Sequence, residues 1–156
     1  MLVVDFMHEC ELGTWKSLFT HLIRLLYAIP GGDKLVASLD AMRPYIPSFG
    51  NGVIRRFANN MSEMKRLAAR DFEDILQCCI PVFEGLFPEP HDSIVQSLLY
   101  HFAQWHALAK LRIHSESTLS LLQETFANLS QRLRHFAVHT CNAFNTMELP
   151  KEKVAH

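Results

Sequence analysis

Apolar residues recur at intervals of three and four along most of the chain, the spacing of one helix face, with polar residues between them. Trp15, Leu18, Phe19, Leu22, Ile23 and Leu26 predict a first helix with Thr14 as its N-cap, and Lys16, Thr20 and Arg24 fall elsewhere on it. Pro30-Gly31-Gly32 ends that helix. Asp33 is expected to cap a second helix whose apolar side includes Val36, Leu39 and Met42, closed by Pro44 and Pro47. The stretch from Pro47 to Gly52 is a turn-rich loop, because it combines Pro, Asn and two glycines. Met64, Leu67, Ala68, Phe72, Ile75, Leu76, Cys79 and Phe83 predict a third helix, which Pro81 should kink or end near the preceding turn.

Phe87-Pro88-Glu89-Pro90 reads as a linker within residues 87–91, after which Asp92 is expected to cap a helix running to about Arg112. Its apolar side carries Val95, Leu98, Leu99, Phe102, Trp105 and Ala109. The last helix starts near Ser115 and spaces Leu119, Leu122, Phe126, Leu129, Leu133 and Phe136 as a seam for a partner helix. Residues 146–156 are charged and interrupted by Pro150, and are expected to fray.

These elements predict an all-α fold, an antiparallel array of about five to six helices with a short extended N-terminal segment. Leu2 to Met7 suits one strand, but a lone strand has nowhere to pair, so residues 1–13 read as the remnant of a larger sheet ahead of a helical domain at 14–145. With 49% hydrophobic and 20% charged residues, the chain has enough apolar material for a core, and disorder is not the default.

Net charge is -1, which gives no general pull toward nucleic acid or anionic lipid, yet the charges fall in blocks. Arg55, Arg56, Lys65, Arg66 and Arg70 make one basic stretch, and an acidic block runs from Asp71 to Asp92. The basic stretch suits either a phosphate backbone or a solvated helix face. Cys10, Cys78, Cys79 and Cys141 lack CxxC spacing and read as reduced core residues. No signal pattern and no apolar run of membrane-spanning length is present, so an intracellular protein without a membrane partner is expected.

Asp5, His8 and Glu9 place three metal-binding or acid-base groups at a strand-to-helix junction. The alternative is structural, with Asp5 capping a helix and His8 packed. Asp71 falls on the apolar face of its helix while Glu73 and Asp74 point away, so it needs a partner. That partner is a preceding arginine, the Gly50 to Gly52 loop, or a site. His135 and His139 have the i, i+4 spacing of a zinc-binding pair, but they lie roughly opposite the Leu119 to Phe136 seam, where solvent is the expected neighbour. His106 shares an apolar face with Leu99 and Phe102 and is expected in the core. No Gly-rich phosphate loop or GxSxG elbow is present.

Residues 4–16, containing Asp5-Phe6-Met7-His8, resemble the Asp-x-Met-His block of CACTA-type transposases, including their fungal relatives of the Plavaka type. A second block, from Phe57-Ala58-Asn59-Asn60 through Leu67-Ala68-Ala69-Arg70-Asp71 to Ile80-Pro81, is similar in order and character to that family's Asn-rich turn, basic-Asp helix and closing Ile-Pro. The resemblance implies a DDE-type recombinase, in which three carboxylates on an RNase H-like sheet hold two Mg²⁺ or Mn²⁺ ions that activate an oxygen nucleophile against a DNA phosphate. Asp5 matches the conserved Asp, as a metal ligand or the neighbour of one, with His8 as its companion. The later helices would correspond to a helical insertion that contacts DNA ends, with Arg55, Arg56, Lys65, Arg66 and Arg70 as the candidate DNA-binding groups and a nuclear location implied.

The chain departs from the family in offering no first acid before Asp5 and only Glu148 and Glu152 as positional third acids. The implied product is a fragment or domesticated remnant that needs no cofactor and lacks catalysis of its own. Two other classes compete with it. One is a helical interaction module that binds a partner helix, or a second copy, through the seam; the other is a metal-dependent enzyme at Asp5, His8 and Glu9.

Overall fold

The computed structural model describes residues 5, 7–42, 60–64, 67–149 and 152. Among these residues the fold is all-α, with no strand. Five α-helices follow a π-helical entry segment, Met7–Trp15: α1 Lys16–Ala28, α2 Gly32–Met42, α3 Ala69–Phe83, α4 His91–Ala109 and α5 Glu116–His139. Two compact units divide the chain, one of Met1–Val82 with Phe144–His156 and one of Phe83–Ala143.

In the first unit the chain is helical from Met7 onward, so Thr14 is not an N-cap. Its hydroxyl instead donates to the Glu9 carbonyl five residues back, at 3.2 Å, which is the reach of a π turn. Gly13 is needed in that turn, because a Cβ there would stand 2.9 Å from the His8 carbonyl oxygen. Trp15, Leu18, Phe19, Leu22, Ile23 and Leu26 are buried as the spacing predicts, and Leu25 joins them. Trp15 also donates its indole N–H to the Phe72 carbonyl at 2.7 Å, tying the entry segment to α3.

The chain reverses between α1 and α2 with almost no loop, since Gly32 passes so close to α1 that a Cβ would lie 2.4 Å from the Leu26 carbonyl oxygen. Asp33 consequently sits inside the first turn of α2 rather than capping it, while Val36 and Leu39 are buried. The side chain of Met42, the closing Pro44, and the loop expected from Pro47 to Gly52 lie outside the described residues.

α3 starts at Ala69, later than the apolar spacing predicts, because residues 61–63 form a turn and Met64 has a φ of 48°. Asp40 holds that turn by accepting from the Ser62 amide at 3.0 Å and its hydroxyl at 2.5 Å. Pro81 does not end α3 at the preceding turn; it lies inside the helix, which continues to Phe83. The end of the chain, expected to fray, carries buried Leu149, and Arg24 engages both carboxylate oxygens of Glu152.

In the second unit α4 and α5 fold back on one another as a helical hairpin. Val95, Leu98, Leu99, Phe102 and His106 are buried on α4, as are Leu129 and Phe136 on α5. Asp92 is not the N-cap of α4. It lies within the first turn, and its carboxylate accepts from the amides of Gly85 (3.1 Å) and Phe87 (3.2 Å), so the presumed linker is pinned to the helix start. α5 begins with a capping box: Ser115 accepts from the Thr118 amide while the Thr118 hydroxyl accepts from the Ser115 amide.

Burial separates the aromatic positions of this hairpin. Phe102 is 1% exposed and Phe126 56% exposed. Phe102→Ala is expected to cost about 3–5 kcal/mol and Phe126→Ala less than about 1 kcal/mol, measured by urea unfolding followed by circular dichroism.

Candidate functional site

Asp5 stands at the start of the entry segment and acts as its cap. Its Oδ1 accepts from the His8 amide at 3.3 Å and its carbonyl from the Glu9 amide at 2.9 Å. The other carboxylate oxygen, Oδ2, meets His8 Nδ1 at 2.5 Å, making a carboxylate–imidazole pair on the surface. His8 is thus exposed, not packed. Glu9 is exposed beside it, and among the described residues no group of three potential metal ligands includes Asp5.

Asp71 has a structural role within α3, and the Gly50 to Gly52 loop offered as its partner lies outside the described residues. The Asp71 carboxylate accepts from the Ala68 amide at 2.8 Å, capping its own helix. The residue read as pointing outward, Asp74, is the buried one at 2% exposure. α3 is covered over a wider arc than its strongest apolar positions mark, which brings both Asp74 and Cys78 inside. Arg70 is exposed in the first turn of α3, whereas Arg55, Arg56, Lys65 and Arg66 lie outside the described residues.

A second carboxylate pairing was not legible from the sequence. Buried Glu11 and half-buried Glu73 bring carboxylate oxygens to within 4.8 Å of one another, although they are far apart in the chain. Two acids at that spacing suit a hard divalent cation such as Mg²⁺ or Mn²⁺. Glu73 fell on the polar side of its helix, and Glu11 lay in a segment read as a strand remnant. No periodicity in the sequence connects them.

The thiols of Cys78, Cys79 and Cys141 are poor nucleophiles. Burial, and then the neighbouring Asp74 carboxylate, pushes the Cys78 thiol up to about 11, and burial pushes Cys79 higher still. Burial also raises Cys141.

On the second unit His106 is buried, as expected for a core histidine. His135 and His139 are both exposed on α5, with ring centroids 4.3 Å apart. They do not stand alone in solvent. Together with Arg132 they line a cleft whose other wall is the first part of α4.

Comparison with known protein families, with curated proteins and with solved structures found no match for this chain. No helix of the described residues is long and apolar enough to cross a membrane.

The thiol environment makes a direct prediction. Cys78 and Cys79 in the native protein should be alkylated by iodoacetamide at pH 8 at least about tenfold more slowly than in urea, because only the thiolate reacts. Peptide mass spectrometry after a timed quench reads the difference.

Proposed function

We propose that this chain is a helical, DNA-contacting derivative of a CACTA/Plavaka-type transposase that does not carry out strand transfer by itself. The observation that carries the reading is the Asp5–His8 pair. The Asp-x-x-His block folds into one local unit in which a single carboxylate caps the helix and pairs with the imidazole, both on the surface. That arrangement keeps a carboxylate at the surface next to a histidine, and accessibility is what a metal-bound phosphoryl-transfer site requires of its acids.

Support also comes from the order of the two resembling blocks, with the second ending on α3, where Arg70 is exposed. In this reading Asp5 and His8 are relics of an ancestral site, Mg²⁺ or Mn²⁺ belongs to the complete ancestral enzyme, and the location is nuclear. The remaining function is electrostatic contact of Arg55, Arg56, Lys65, Arg66 and Arg70 with the phosphate backbone of duplex DNA. Fluorescence anisotropy of a labelled duplex over a salt series tests it. Affinity should fall steeply with salt, and Arg55→Ala with Arg56→Ala should lower the slope of log K against log salt by about 2. No binding at low salt would contradict the proposal.

A second reading, a helical interaction module, is favoured by one specific observation. The seam of α5 is only partly covered: Leu129 and Phe136 are buried, whereas Leu119 is 47% and Phe126 56% exposed. The free edge suits a partner helix or a second copy. Leu119→Ser with Phe126→Ser should then abolish concentration-dependent association in sedimentation velocity while leaving the helical signal intact. Association unchanged by both substitutions would exclude that edge.

A further inference from the structure

The hairpin of α4 and α5 carries on its other flank a cleft of about 460 Å³. From α5 it is lined by Arg132, His135 and His139, at i, i+3 and i+7 and hence on one face. From the beginning of α4 it is lined by His91, Ser93 and Ser97. Every polar group named here is a hydrogen-bond donor in at least one of its states. No carboxylate lines the cleft.

The charge balance is one-sided. Arg132 is permanently cationic, and among the described residues no carboxylate pairs with it. The nearest acid to enter the account is Glu89, whose two carboxylate oxygens accept from the Ser93 hydroxyl at 3.0 and 2.9 Å. The first turns of α4 add the positive end of a long helix dipole. His91 is held in position through Nδ1 by the hydroxyl of buried Thr140 at 3.3 Å, so the α4 wall is fixed against the end of α5.

A cation fits this lining poorly. His135 and His139 have the sequence spacing of a metal pair, but a guanidinium stands one turn away and neither thiolate nor carboxylate completes a ligand set. Among the described residues no group of three potential metal ligands forms there. An oxyanion fits well. It offsets the Arg132 charge, and it can accept from ring N–H groups of the two imidazoles, whose centroids lie 4.3 Å apart.

The volume says more about the ligand. It falls in the range of about 300–1,000 Å³ typical of small-molecule sites, well beyond what one tetrahedral anion fills. Pro90 and Ile94 supply an apolar wall next to the charged one. We infer that the cleft binds a phosphate ester, with the phosphate oxygens on Arg132 and the imidazoles of His135 and His139, and the organic group along Pro90 and Ile94. A phosphate of a nucleic-acid chain presents the same oxyanion chemistry. The inference does not rest on the transposase reading, whose basic residues are different ones.

Isothermal titration of the full chain with inorganic phosphate, phenyl phosphate and sulfate tests it, with a short duplex oligonucleotide as competitor. Saturable binding is expected, tighter for phenyl phosphate than for inorganic phosphate, and weakened about tenfold or more in Arg132→Ala, a substitution at an exposed position. His135→Ala with His139→Ala should weaken sulfate and phosphate binding as well, since both rings supply donors to the oxyanion. Displacement of phenyl phosphate by the duplex, with both weakened by Arg132→Ala, identifies a nucleic-acid phosphate as the source. Lack of displacement identifies a small phosphate ester. Absence of saturable phosphate or phenyl phosphate binding, or affinities unchanged in Arg132→Ala, would overturn the inference.

Discussion

The contact between α4 and α5 is the constraint on which the second unit depends. α5 is a 24-residue helix on which Leu129 and Phe136 are the buried apolar residues, so without its partner it would expose its whole seam to water. Burying side chains of this size contributes about 1.5–3 kcal/mol each, enough to hold a short hairpin but with little to spare against the entropy of ordering it. Local devices restrict that entropy before the helices meet. The Ser115–Thr118 box starts α5, and Asp92 clamps the Gly85 to Phe87 turn onto α4. The same contact fixes what the hairpin displays. Centring the seam on Leu129 and Phe136 leaves Leu119 and Phe126 exposed on one flank, and turns Arg132, His135 and His139 toward the start of α4 on the other.

In the first unit, polar side chains that looked like candidates for chemistry mostly hold backbone in place. Asp5 caps the entry segment, Asp71 caps α3, Asp40 secures the turn before it, and Glu152 anchors the chain end to Arg24. Each accepts charge-assisted hydrogen bonds from the backbone or side-chain donors it holds in place. A carboxylate so employed is not thereby barred from a reaction. Asp5 caps through one oxygen while the other meets His8, which is why the pair, rather than either residue, supports the proposed ancestry.

Helices were legible in the sequence because their apolar residues obey one period, and the face of α1 from Trp15 to Leu26 is buried as that period predicts. Boundaries were less legible, since they are decided by tertiary contacts. Gly32 is recruited into α2 by its close approach to α1, and a π turn absorbs Thr14 into a helix that starts earlier. The pattern of α3 marked its most apolar face and missed Asp74, which a wider arc of packing covers. Site residues were legible only where neighbours in sequence are neighbours in space, as with Asp5 and His8 or with His135 and His139. The Glu11–Glu73 approach, and the cleft that joins α5 histidines to the first turns of α4, depend on which helices meet. A single helix face carries no record of that.

Because the cleft and the apolar edge both follow from one contact, α4 and α5 should open as one cooperative unit. Native-state hydrogen exchange on the full chain, with and without Leu98→Ala, measures this most directly. The account predicts that amides in the middle of both helices share one opening free energy, and that Leu98→Ala lowers it equally in the two. Loss of protection in α4 while α5 keeps its original exchange rates would contradict it.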